Sequence, residues 1–400
     1  MPRVNPENLR WARETAGLGL EDAARKLALA PAGYAAGGDR LAALERGDAE
    51  PNRPLLVRMA KQYRRPLLAF YLASPPPQGD RGHDFRTLPD DEADADGPIL
   101  DALIRDVMTR QALVRTALAD EEDPAPLAFV GSMSRDAGVT AVAGRIRATL
   151  GISLAAFRAA SNPDEAFRLL RAAAEAAGVF VILLSNLGSH HTALSPESFR
   201  GLAIADSVAP FVVVNDQDSR AAWSFTLLHE LAHILLGETG VSGGTPDRDV
   251  ERFCNDVASE FLLPSSEMGD VVHEFTTNPG ATVAERIGQF AAARNVSRSM
   301  MAYRLYRRSA ISEAEWRAVR QGFRQDWLQE RDRQRERGRE TSGGPSYYAV
   351  RRFRVGEALL RTTARLLLSG ALTTTKAGRV LGVKPGNVGT LIAGAGARGR

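Results

Sequence analysis

The chain has 400 residues, of which 44% are hydrophobic and 25% are charged. These proportions are ordinary for globular proteins, so they exclude a mainly disordered, collagen-like or coiled-coil chain and predict two to three domains. Lys and Arg exceed Asp and Glu by only 51 to 48, a net charge of +3, which argues against nucleic-acid binding by the whole chain.

A single cysteine, Cys254, excludes an intrachain disulfide framework. The chain has no run of the roughly 18 to 20 apolar residues that cross a bilayer, and it begins without a signal-peptide pattern. We therefore expect a protein of the reducing cytoplasm that does not bind membranes.

Helical spacing of apolar residues, with glycines or prolines at the ends, predicts helices in residues 1–73, 98–177 and 282–339. Between them, three apolar runs predict β-strands at 179–184, 201–205 and 211–215. The last of these is either an edge strand, to which an extended substrate adds, or an ordinary buried strand. Two further helices are predicted at 221–236 and 249–263, and proline-rich or glycine-rich linkers at 74–97 and 341–345.

The helix predicted at 221–236 contains His229-Glu230-Leu231-Ala232-His233, an H-E-x-x-H motif. Residues four apart share one face of a helix, so both imidazoles point at the same spot, and two neutral imidazoles suit Zn²⁺. Glu230 lies next to the first histidine and can act as a general base on a metal-bound water. The alternative is a structural helix with two incidental histidines.

A catalytic zinc site needs a third protein ligand, and Glu251, in the first turn of the next helix, is the best candidate. The glycine-rich loop 238–248 can bring that helix back beside the motif. Asp249, Asn255 and Asp256 are rivals, and Asn255, one turn after Glu251, can instead act as a second-shell partner. An exposed acid favoured by the helix dipole is the alternative for Glu251.

The stretch 225–233, followed by Glu251-Arg252-Phe253-Cys254-Asn255 and residues 258–264, resembles the ImmA/IrrE family of metallopeptidases. The resemblance covers about residues 90–320. It implies an intracellular zincin-like endopeptidase that cleaves a partner helix-turn-helix repressor. It also implies that His229, His233 and Glu251 are the zinc ligands and that Glu230 is the catalytic base, which carries a proton to the leaving amine.

The N-terminal segment, with Leu9-Arg10-Trp11-Ala12-Arg13 and Leu44-Glu45-Arg46-Gly47, resembles XRE/Cro-type helix-turn-helix domains. It departs from them at residues 28–38, where the recognition element has almost no hydrogen-bonding side chains. Sequence-specific reading of DNA is therefore in doubt. The alternative role is pairing with a repressor or antitoxin domain of similar fold.

The last segment, residues 346–400, carries ten basic residues and one acid, a net charge of +9, so the rest of the chain is net acidic. Helices at 373–381 and 385–392, with Gly382-Val383-Lys384 between them, predict a second helix-turn-helix. Lys376, Arg379 and Lys384 are candidates for contacts with nucleic-acid phosphates. The alternative is a small helical cap whose arginines are solvated.

The predicted fold is α+β and mostly helical, with a zincin-like core around a small sheet. The predicted domains are an XRE/Cro-like domain at 1–73, a linker at 74–97, a metallopeptidase domain at 98–315, a charged helix and linker at 316–345, and a basic helical domain at 346–400. We expect Zn²⁺, with Mn²⁺ as the alternative, since both accept imidazole and carboxylate ligands.

The predicted function is cleavage of a helix-turn-helix repressor or antitoxin, which switches gene expression in stress, phage defence or a mobile-element or toxin–antitoxin context. The alternative is a transcription regulator or antitoxin-like module that binds DNA or protein and uses the zincin domain mainly for recognition. Besides the protein substrate, DNA and a second copy of the chain, as a homodimer, are the partners left open.

Overall fold

The computed structural model describes residues 3–29, 36–76, 83–84, 90–122, 124–242, 249–277, 281–340 and 346–393. Most of the predicted recognition element (30–35), much of the loop 238–248 and the linker 341–345 lie outside these residues. The chain divides into two compact units. The first comprises residues 1–81, 88–106 and 187–192, and the second comprises the remainder.

The first unit begins with the four short helices that the sequence predicts, followed by a 3₁₀ helix at Leu67–Tyr71. They are α1 (Pro6–Glu14), α2 (Leu20–Lys26), α3 (Gly37–Arg46) and α4 (Arg53–Gln62). Their apolar faces meet in a core that includes Leu9, Leu41 and Met59. Within it, the Arg13 guanidinium donates to both carboxylate oxygens of Glu45, at 2.7 and 2.8 Å.

Helix α5 (Asp90–Glu122) begins inside the segment 74–97 that the sequence predicts as a linker. The first turns of α5 are rich in acidic residues, at 90–96. Negative charge there is compatible with a helix start, because it complements the helix dipole. Its residues 90–106 belong to the first unit and residues 107–122 to the second.

The second unit contains a five-stranded mixed sheet with the strand order β1-β5-β3-β4-β2. The strands are β1 (His83–Asp84), β2 (Phe180–Leu183), β3 (Gly201–Ile204), β4 (Phe211–Val214) and β5 (Gly240–Ser242). Strand β4 pairs with β2 in parallel and with β3 in antiparallel register, and β5 pairs antiparallel with β3 and parallel with β1.

The three predicted strands are confirmed, but the interpretation of 211–215 as an edge strand is wrong. Both sides of β4 are paired, so an extended substrate cannot add to it, and the alternative of a buried strand holds. Strands β1 and β5 lie in segments predicted as loops. They are two and three residues long, too short to show an alternating apolar pattern.

Helices surround this sheet, and the chain is a mostly helical α+β protein, as predicted. Before and between the strands lie α6 (Val139–Leu150), α7 (Leu154–Arg158) and α8 (Pro163–Ala176), where Asn162 caps α8 by accepting from the Glu165 N–H. After β4 come α9 (Arg220–Leu236), α10 (Asp249–Leu262), α11 (Met268–Thr277), α12 (Val283–Ala292), α13 (Arg298–Arg307) and α14 (Glu313–Glu340). Short 3₁₀ helices lie at Arg135–Ala137 and His190–Thr192.

The C-terminal segment consists of α15 (Tyr347–Val355), α16 (Glu357–Leu368), α17 (Thr374–Leu381), a 3₁₀ turn at Pro385–Asn387 and α18 (Val388–Ala393). It belongs to the same compact unit as the sheet, and α15 and α16 pack against β2. Throughout the described part of the chain, no helix is both long and apolar enough to span a membrane.

Candidate metal centre

Helix α9 places two histidines on one buried face. Its residues from Thr226 to Leu235 are all buried, and α9 packs against α8 and α10. His229 and His233 are one turn apart, their ring centroids are 4.9 Å apart, and their Nε2 atoms are separated by 3.1 Å. The helical periodicity therefore brings two metal-ligand atoms together, as the H-E-x-x-H spacing predicts.

Helix α10 adds the third potential ligand. The Glu251 carboxylate places Oε1 2.9 Å from His233 Nε2 and Oε2 3.3 Å from His229 Nε2. Of the rival candidates, Asp249 has an 83% exposed side chain and pairs with Arg252, while Asp256 accepts from the Tyr303 hydroxyl. The structure thus brings Glu251, and neither of these acids, to the two histidines.

The three side chains form a cluster that can hold a metal ion. Their exposed fractions are only 4%, 1% and 4% for His229, His233 and Glu251. Donors about 2.0–2.1 Å from a tetrahedral metal lie about 3.4 Å from one another, close to the separations here. Two imidazoles and one carboxylate are also a common ligand set of catalytic zinc sites, so the residues fit such an ion.

The electrostatics of the cluster favour an ionised carboxylate. Burial alone would raise the pKa of Glu251, but the adjacent His229 and His233 lower it to about 2. Burial would likewise lower the pKa of His233, but Cys254, Glu238 and Glu251 together raise it well above its usual 6.5. Only neutral imidazole is a metal ligand, so a metal competes with the proton for both histidines.

A residue that the sequence reasoning did not assign lies on the Nδ1 side of His233. Glu238 Oε2 is 3.6 Å from His233 Nδ1, and the buried Cys254 is a further neighbour that raises the pKa of the same imidazole. Glu238 reaches this place because Gly237 ends α9 in the left-handed conformation and the Glu238 N–H bonds to the His233 carbonyl. An acid directly after the glycine that ends the motif helix is the signal that could have revealed it.

Glu230 is fully buried and lies against strand β3. A Cβ added to Gly201 would lie 2.8 Å from the Glu230 carboxyl carbon and 2.9 Å from Thr226 Cγ2. Only glycine leaves room for the carboxylate at this position. Gly201 is thus a further residue of the site, and it is invisible to sequence reasoning because the contact joins elements far apart in the chain.

The region of the chain that contains this site matches a known protein family. Residues 174–306 match the model of a peptidase family, Peptidase_M78, described as the IrrE N-terminal-like domain. These residues are similar to the IrrE N-terminal-like domain. The predicted membership of the ImmA/IrrE family is thereby confirmed for this part of the chain, whereas the N-terminal helix-turn-helix assignment stays a prediction. Searches of curated proteins and of solved structures found no match.

The matched IrrE-like domain contains α9, α10 and all four residues of the H-E-x-x-H and Glu251 site. Asn255 is half-buried one turn after Glu251, and its second-shell role stays a prediction. Elsewhere in this unit, Tyr303 donates to Asp256 and His273 is exposed.

Replacing Gly201 with alanine is expected to displace the Glu230 carboxylate and reduce any cleavage activity about tenfold or more, because a group placed off its reacting position loses its advantage. The crowded methyl should also cost about 1–3 kcal/mol of stability. Gly144→Ala in α6 is the matched control, since a methyl there meets none of the described residues within 4 Å. Equal activity and stability of both variants would contradict the close contact.

Proposed function

We propose that the protein is a zinc-dependent endopeptidase in which His229, His233 and Glu251 hold the metal and Glu230 is the general base. The observation that carries this proposal is the convergence of three buried side chains, His229, His233 and Glu251, whose ligand atoms lie 2.9 to 3.3 Å apart. The buried Glu230 carboxylate is next to His229 on α9. The match to a metallopeptidase family supports the reaction class.

A zinc ion bound by these residues would lower the pKa of a water ligand and polarise the carbonyl of the scissile peptide. Glu230, directly after His229 in the helical turn that joins the two histidines, would accept a proton and pass it to the leaving amine. Gly201 leaves the space in which this carboxylate sits. Glu238, at the far side of His233, helps to fix the orientation of that imidazole.

For the substrate, we propose a helix-turn-helix repressor or antitoxin whose cleavage changes gene expression in stress, phage defence or a toxin–antitoxin setting. The resemblance to ImmA/IrrE peptidases supports this choice. The α1–α4 bundle also supports it, because a domain resembling XRE/Cro proteins can pair with one of similar fold. The alternative is a regulator in which the IrrE-like domain recognises a partner without cutting it.

Dependence on a metal ion distinguishes the proposed endopeptidase from a regulator that binds its partner without cutting it. The protein is incubated with the product of its neighbouring gene, with a chelator, and then with Zn²⁺ or Mn²⁺ restored. We expect cleavage that the chelator abolishes and the metal restores, about one metal ion per chain, and loss of that ion in His229→Ala. His273→Ala, an exposed histidine on α11, is the control and should retain metal.

Stoichiometric metal in His229→Ala would refute the ligand assignment. A stable, uncut complex that forms with and without metal would instead support the recognition function. The metal that restores the highest activity at physiological concentrations decides between Zn²⁺ and Mn²⁺, for which the ligand set has little preference.

A further inference from the structure

The last two helices of the chain have the geometry of a helix-turn-helix. Helix α17 ends at Gly382, whose φ of +62° reverses the chain direction, and α18 follows after a 3₁₀ turn. A Cβ at Gly378 would lie 2.8 Å from the Val383 carbonyl oxygen and 3.2 Å from Pro385 N, so glycine allows the turn to pack closely on α17. The motif has five buried apolar residues: Ala377, Val380, Leu381, Val388 and Leu391.

A residue of α15 holds this turn in place. Arg351 donates from Nε and Nη2 to the Leu381 carbonyl, at 3.0 and 2.8 Å, and from Nη2 to the Gly382 carbonyl at 2.8 Å. These carbonyls are at the C-terminus of α17, where a cation is favoured by the helix dipole. These hydrogen bonds attach the turn to α15, so the outer surface of the motif has a fixed position relative to the rest of the C-terminal segment.

That outer surface is basic. Residues 346–393 contain eight Lys or Arg and one acid, Glu357. Several of the cations serve the fold: Arg351 at the turn, Arg354 with Asp216, and Arg365 with Glu121. The cations of the helix-turn-helix itself are Lys376, Arg379 and Lys384, and all three are exposed. Residues 374–393 contain no Asp or Glu, so the motif contributes only positive side-chain charge.

We infer that the surface of α17, its turn and α18 binds the phosphate backbone of duplex DNA through Lys376, Arg379 and Lys384. A duplex is the occupant that fits, because a helix-turn-helix places its two helices across neighbouring phosphates and its second helix in the major groove. The exposed residues of the 3₁₀ turn and α18 offer little to read base edges, because among them only Thr390 has a side chain that can hydrogen-bond: Pro385, Gly386, Gly389, Thr390 and Ala393. The binding is therefore nearly independent of sequence.

The test measures the affinity of the full-length chain for a labelled duplex oligonucleotide by fluorescence anisotropy over a series of salt concentrations. The logarithm of the affinity should fall linearly with the logarithm of the salt concentration, by about 0.9 per phosphate contacted. Lys376→Ala with Lys384→Ala should weaken binding equally for unrelated sequences and reduce that slope by about 2. Both lysines are exposed, so the variant should keep its fold, which its unchanged melting temperature verifies.

A matched control removes two positive charges elsewhere in the same unit. Arg168 on α8 and Arg317 on α14 are exposed and sit in local ion pairs with Glu165 and Glu313. Arg168→Ala with Arg317→Ala changes net charge by the same amount and should leave the slope unchanged. Gly389→Glu, at a position open to solvent, places an acid on α18 and should weaken DNA binding as well.

Absence of binding at low salt, or an unchanged slope in the double lysine variant, would overturn the inference. The latter result would assign the affinity to another surface of the chain. Preference for poly-glutamate over duplex DNA would also overturn it and would indicate an acidic protein partner. Because the proposed peptidase site lies on α9 and α10, none of these outcomes depends on metal content or cleavage.

Discussion

Glu230→Gln is expected to reduce peptide cleavage by at least about 100-fold while the chain keeps its full metal content. Glutamine has the same shape as glutamate, so it fits the space beside Gly201 without disturbing the fold. Its amide cannot accept a proton and pass it on. The metal ligands His229, His233 and Glu251 are unchanged, so the loss should appear in kcat and not in metal binding.

Glu238→Gln is the matched control, because it alters a second carboxylate in the same centre by the same change. Glu238 faces His233 Nδ1 and is not placed to move a proton for the substrate. We expect it to lower metal affinity by about 10- to 100-fold and to retain turnover at saturating metal. Cleavage by Glu230→Gln at the normal rate would contradict the role of Glu230 as the general base. Loss of metal in that variant would indicate that Glu230 is a metal ligand.

The parts of this centre that sequence reasoning found are those that helical periodicity fixes. His229 and His233 converge because they are four residues apart on one helix, which requires no knowledge of the tertiary structure. Spacing alone left Asp249 and Asp256 as rivals of Glu251; the family resemblance selected Glu251, and the packing of α10 against α9 brings it to the two histidines. Glu238 follows the glycine that ends α9, which is a local signal. Gly201 lies on a strand far from the motif in the sequence, so no local pattern marks it.

The same distinction applies to the fold. Helices α9 and α10 begin and end within about one residue of their predicted limits, because caps and apolar spacing are local signals. The position of β4 in the sheet is not local. Its pairing with both β2 and β3 makes it a central strand, and no property of residues 211–215 distinguishes a central apolar strand from a buried edge.

The C-terminal segment, predicted as a separate basic domain, is tied to the peptidase unit by a buried ion pair. Arg171 on α8 bonds to Glu175 at 3.0 Å, with side chains only 7% and 6% exposed. The same guanidinium donates to the carbonyls of Val181 on β2 and of Phe353 on α15. Glu175 in turn accepts from the first amides of α16, at Glu357 and Ala358. One pair thus joins α8, the sheet and the C-terminal helices.

Arg171→Met is therefore expected to lower the free energy of unfolding by about 3–5 kcal/mol, because it leaves the Glu175 carboxylate buried without its partner. Burial already raises the pKa of Glu175, and removing Arg171 raises it further. The cost is then largest above that raised pKa, where the folded variant holds an unpaired charge, and it shrinks as the pH falls towards the unfolded-state value of 4.5, below which Glu175 is protonated in both states.

Urea unfolding of this variant at several pH values measures both effects, with Arg168→Met, an exposed arginine one turn earlier on α8, as the control. Adding Glu175→Gln to Arg171→Met should recover part of the loss at neutral pH, because the amide still accepts from the α16 N–H groups but carries no charge. A loss below about 1 kcal/mol, or one that does not change with pH, would show that the Arg171–Glu175 pair contributes little to holding the C-terminal helices.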